Sequence, residues 1–226
     1  MNFINVSQRV GYTITKTILQ GPDDVTEVVK LLAGNDYLPS ASEENSEDDA
    51  QTLRLQMKTK DKRYMVVIMA DRINVVRSKT SEEDNLGALQ EHADKSFGIL
   101  KKLQERYNFE IDDVAIESDY YDTATDEAAA KYYKKFANGD EIPSAWRFNR
   151  LFIRTMPELE DNKVMEHQTF MRDEVQMRFE NDVHDRLLLE LTCAGKLPGE
   201  KKDEVLSKYT GLFITQLLDT YRKLDE

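Results

Sequence analysis

TLRLQMKTKDKRYMVVIMADRINVVRSK, residues 52–79, is the stretch on which the fold turns. Three runs within it, Thr52 to Lys58, Arg63 to Ala70 and Ile73 to Ser78, alternate or concentrate apolar side chains over strand-like lengths. A KDK turn separates the first two, and a tight turn at Asp71 separates the second and third. Connections this short read as an antiparallel meander.

Downstream, Ser81 followed by Asp84 resembles a capping box with Asp in the place of Glu. Leu86, Leu89, Ala93, Phe97, Leu100, Leu103 and Tyr107 then recur at three- and four-residue steps, which predicts one long helix with one buried stripe. DDVAIESDYYD reads as a strand, and TDEAAAKYYKKFANG as a helix capped by Thr125, with acids in its first turn, lysines in its last and Gly139 at its end. WRFNRLFIRTM reads as a strand stopped by Pro157. KVMEHQTFMRDEVQMRF and DRLLLELTCAG complete a second meander. In the final helix, Asp203 to Leu224, the stripe Leu206, Tyr209, Phe213, Leu217, Tyr221 and Leu224 is widened by Ile214 and Leu218 beyond what one sheet needs.

Upstream, residues 3–19 read as an edge strand or a short helix, and PDDVTEVVKLLAG as an amphipathic helix opened by Pro22 and closed by Gly34. Residues 36–51 lose all periodicity and include the acidic run ASEENSEDDA, so they read as a flexible acidic loop. That run has neither the glycine nor the ligand spacing of a calcium-binding loop. The fold class expected is α+β, with two antiparallel meanders, each followed by a long amphipathic helix packing on the sheet. The 226 residues form a single domain or two half-domains, 1–122 and 123–226.

The formal charge is -12, so the averaged field disfavours nucleic acid and anionic membrane and favours a basic protein partner. The longest apolar run, Tyr64 to Ala70, falls far short of the roughly 20 residues that span a bilayer. Cys193 is the only cysteine, which excludes an internal disulfide and fits a reducing, cytoplasmic setting with a buried thiol. The N-terminus shows no secretory segment.

Three groups of side chains are candidates for chemistry. In ESDYYDTATDE, strand alternation places Glu117, Asp119 and Tyr121 on one face, an arrangement that suits acid–base work or a cation; acids ahead of a helix serve its dipole equally well. His92, His167 and His184 form no metal-ligand spacing, so neither metal nor cofactor is expected. His92 reads as a solvated helix flank, His167 as half-buried and His184 as part of a polar turn. The strand 146–154 places Trp146, Phe148, Arg150, Phe152 and Arg154 on one face, the composition of a protein-binding anchor or of a single-strand stacking platform. No nucleophile elbow, CxxC, SxxK or phosphate loop is present.

The function expected is therefore a non-enzymatic interaction protein, in one form an inhibitor or immunity-type protein that occupies a basic partner. It self-associates as a homodimer through a seam at Ile214 and Leu218. The alternatives are a metal-dependent enzyme using Glu117, Asp119 or His184, and a single-strand or nucleotide binder acting through residues 146–154.

Overall fold

A computed structural model describes residues 3–33, 37–45, 51–137, 141–159, 162–197 and 203–225. The elements run β1 (Ile4–Ile14), α1 (Pro22–Leu32), β2 (Tyr37–Asn45), β3 (Gln51–Thr59), β4 (Tyr64–Ile68), β5 (Arg72–Ser78), α2 (Leu89–Tyr107), β6 (Ile111–Thr123), α3 (Asp126–Phe136), β7 (Trp146–Thr155), β8 (Lys163–Val175), β9 (His184–Lys196) and α4 (Asp203–Asp225). A 3-10 turn, Pro157–Leu159, follows β7. The protein is thus mixed α and β, with four helices and one large antiparallel sheet among the described residues.

All nine strands join that sheet in the order β2-β3-β4-β5-β1-β6-β9-β8-β7. The N-terminal segment, expected to be an edge strand or a short helix, is instead a strand that joins the two halves of the sheet. It pairs with β5 on one side and β6 on the other, and its Val10, Tyr12 and Ile14 are buried. Their period-2 pattern fixes the register, because a one-residue slip would turn all three to the opposite face. The edges are β2 and β7. Pro39 in β2 and Arg147, Arg150 and Arg154 in β7 discourage further strand addition.

The helices lie on one face. Val10, Ile73, Val75, Val114, Ile116, Leu189 and Leu191 point into that layer and are at most 1% exposed. The helix α4 packs on β6 and β9 and also touches α2, which in turn lies on β1 and β5. Two surfaces therefore cover α4, and this accounts for an apolar face wider than one sheet requires.

Several sequence expectations change here. The acidic loop of residues 36–51 contains a strand: Tyr37–Asn45 pairs residue for residue with Gln51–Thr59, its backbone bonds outweighing an unfavourable composition; residues 36 and 46–50 lie outside the described residues, as do Gly34 and Gly139. Ser81 and Asp84 form a turn rather than a helix cap, because the Asp84 carboxylate accepts from the Thr80 amide and pairs with Arg63; α2 begins only at Leu89. His92 is fully buried, its Nε2 3.1 Å from the Val75 carbonyl, and burial, then Arg77, push its pKa down to about 4. Thr125 does cap α3, accepting from the Ala128 amide at 3.2 Å.

Candidate functional site

Because each strand alternates, the residues between the core positions line a second face that, among the described residues, carries no helix. One row across it runs Met65, Val76, Arg9, Glu117, Thr192, His167 and Leu151; the next runs Val67, Asn74, Gly11, Ala115, Ala194, Met165 and Ile153. In the second row three consecutive strands contribute only Gly11, Ala115 and Ala194. The sheet surface is therefore low there, forming the floor of an open groove of about 1030 Å³. A Cβ at Gly11 would stand 2.8 Å from Asn74 Oδ1, so this glycine keeps the floor clear.

The two walls differ. On the β7–β8 side stand Ile153 and Met165, 63% and 48% exposed and facing each other across the ladder, with Leu151, 62% exposed, beside them in the neighbouring row. On one side of the floor the lining is cationic, with Arg72, Lys163 and Lys196 near the acid Asp113, Arg72 also lying 3.7 Å from the exposed Asp71; Arg9, on the other side, is paired with Glu117. This local sign opposes the net charge of the chain.

Beyond one end of the groove the face is covered. The segment after β8 folds over it, so that Phe179 packs near the ring of Tyr121 and Met177 is buried; Arg186 lies 4.6 Å over Tyr121 and pairs with Glu180. Asp119, opposite Ser7 on one side and Glu190 on the other, lies in a cleft beneath this cover. Burial, then the neighbouring Glu117 and Glu190, raise its pKa to about 7.

Strand alternation did bring Glu117 and Asp119 to one face, but Glu117 pairs with Arg9. His184 does not join them. It opens β9 opposite Val175, six residues along the strand from Glu190, or about 20 Å. The described residues contain no group of three or more His, Cys, Asp or Glu placed to hold a metal. His167, expected half-buried, is exposed on the helix-free face, since its strand neighbours Met165 and Leu151 leave it open to solvent.

The aromatic–Arg strand faces the helix layer. Trp146 and Phe148 join an aromatic cluster with Tyr133, Phe136 and Phe170, and the Arg150 guanidinium lies 4.3 Å from the Phe136 ring centroid. Phe152 is half-buried beneath Arg154, whose Nε donates to Glu166 at 3.1 Å. These contacts occupy the rings and guanidinium groups that a stacking platform would need free. In the expected seam, Leu218 is 37% exposed, whereas Ile214 is 5% exposed and packs within this chain's own core. Cys193 is fully buried, and burial, then Glu166, push its thiol up to about 12, leaving no accessible thiolate.

No protein-family model matches the chain, and no curated protein does. Among solved structures, Methanococcus jannaschii TBP aligns at 11% identity over 96% of this chain and 98% of its own, with a TM-score of 0.33. The di-domain ARO/CYC StfQ from the steffimycin biosynthetic pathway aligns at 11% identity over 96% of each chain, with a TM-score of 0.23. Likeness at this level assigns neither family nor activity. Among the described residues no helix is long and apolar enough to cross a membrane.

Proposed function

We propose that the protein is a protein-interaction module that docks its partner on the helix-free face of the sheet. The observation that carries this reading is the groove: an exposed apolar wall at Ile153 and Met165, continued along the sheet by exposed Leu151, beside a floor of Gly11, Ala115 and Ala194. An apolar patch bounded by charged residues is the usual form of a binding surface. The partner segment that fits carries apolar side chains for the wall and a carboxylate for Arg72, Lys163 and Lys196. Charges farther away than about 8 Å are screened at physiological salt, so the cationic lining outweighs the chain's average charge at the contact itself. For that reason an acidic–apolar segment replaces the basic partner expected from net charge.

Photo-crosslinking in the source cells tests the proposal. A photoreactive residue at Leu151 is expected to give one discrete adduct, through an acidic–apolar segment, and the same residue at Lys208 on α4 to give none. Adding Ile153→Asp with Met165→Asp should reduce the adduct at least tenfold. Equal labelling from both positions, no labelling from Leu151, or an adduct through a basic segment would overturn the assignment; an adduct with a second copy would make the face a homodimer surface.

A further inference from the structure

A second cavity, about 460 Å³, lies between the β3–β4 hairpin, the end of β5 and the segment after β8. Lys58, Lys62, Lys79 and Arg178 line it, with Asp61 as the single acid. Four cations against one acid, in a chain of net charge -12, is a local excess that folding alone does not require. None of Lys58, Lys62 and Arg178 has an ion-pair partner among the described residues. All three side chains are exposed, so their charges are available to a ligand.

Lys79 differs from these three. It is 4% exposed, and its Nζ donates to the main-chain carbonyls of Glu82 and, at 2.9 Å, Asp84; the Phe179 ring lies 5.8 Å away. Those acceptors take two of its three N–H groups and bring no countercharge. A buried ammonium without a carboxylate partner is costly, and an anion bound beside it would supply the missing charge. Lys62 also holds the left-handed conformation, φ 59°, at a turn position where Gly or Asn would be unstrained. Asp61 lines the cavity with them, but its Oδ1 is engaged within the hairpin turn, accepting from the Thr59 hydroxyl and, at 3.0 Å, the Arg63 amide.

We infer that this cavity is a binding site for a small phosphorylated molecule, its phosphate held by Lys62, Lys79 and Arg178. A tetrahedral dianion suits several convergent ammonium and guanidinium donors, and the volume leaves room for more than one phosphate group. Asp119 lines the adjoining cleft, which shares Lys79 and Arg178. With its carboxyl raised to about 7, its repulsion of an anion is reduced at neutral pH.

The test is calorimetric titration of the whole chain with inorganic phosphate and with pyrophosphate, at low and at physiological salt. Saturable binding at one site is expected, tighter for pyrophosphate. Lys62→Asn, which also suits the left-handed turn, and Arg178→Ala should each weaken it about tenfold. Both positions are exposed, so the fold is preserved; thermal unfolding checks this. Lys208→Ala, an equal loss of charge on α4, should leave the affinity unchanged. The inference fails if neither anion saturates, if Lys62→Asn and Arg178→Ala bind as the wild type does, or if Lys208→Ala weakens binding as much as they do.

Discussion

Glu166→Ala should destabilise the protein by about 2–4 kcal/mol at pH 7, read as a lower urea midpoint. Glu166 is 1% exposed, yet each of its oxygens has two donors. Oε2 accepts from Arg154 at 3.1 Å and Gln216 at 2.8 Å, and Oε1 accepts from Thr220 at 2.9 Å and Gln168 at 2.5 Å. Because Gln216 and Thr220 belong to α4 and Gln168 to β8, this carboxylate ties the last helix to the sheet. Removing it leaves buried donors unpaired, which is the larger share of the expected loss. Burial works to raise its pKa, but the bonds from Gln168, Thr220 and Gln216, aided by Arg154, outweigh burial and hold it below the ordinary 4.5. A lowered carboxylate stabilises the fold above its unfolded value and loses that contribution as pH falls through the folded value. The gap between wild type and Glu166→Ala should therefore narrow below pH 4.5. Glu166→Gln keeps one acceptor oxygen and should lose less; equal stability of Glu166→Ala and wild type at pH 7 would show that the carboxylate does not tie down α4.

The strands were legible wherever apolar residues alternated. Residues 52–79 contain β3, β4 and β5 close to the expected positions, and Thr125 announced α3, because these signals are local. Position in the sheet was not legible. Nothing within Ile4–Ile14 says that this strand sits between β5 and β6, since that depends on two partners more than fifty residues away. The same limit applied to the sites. Alternation put Trp146, Phe148, Arg150, Phe152 and Arg154 on one face, but whether that face meets solvent or the helix layer depends on α3 and α4. The groove floor consists of one small residue from each of three strands, and the cationic cavity draws on a hairpin turn, a strand end and a distant connection. No window of sequence contains either arrangement. Only the small residues Gly11, Ala115 and Ala194, each at an outward-facing strand position, left a trace, and that trace acquires meaning only once the registers of β1, β6 and β9 are known.

Asp119→Asn should stabilise the protein at pH 8 and leave it nearly unchanged at pH 4. In the fold, burial together with Glu117 and Glu190 raises the Asp119 carboxyl from 3.8 to about 7. A raised value means that the folded state keeps its proton while the unfolded chain has already released one. The contribution of the protonated carboxyl is fully present below 3.8 and is lost as pH rises through about 7, where the fold must hold a charge beside two other acids. Each tenfold change in proton affinity corresponds to about 1.4 kcal/mol, so the whole rise would set a ceiling of about 4 kcal/mol. The cleft under Phe179 is open to water and Arg9 offsets part of the repulsion, which brings the expected gain to about 1–2 kcal/mol. Asparagine matches the shape of the neutral acid and still accepts from Ser7, so packing is preserved. Urea titrations of both proteins at the two pH values give the answer directly. A pH-independent difference would place the effect in packing rather than charge, and a loss of stability at pH 8 would mean that the ionised carboxylate is held by favourable contacts, contrary to the repulsion expected from Glu117, its neighbour on the same strand face, and Glu190, its cross-strand partner.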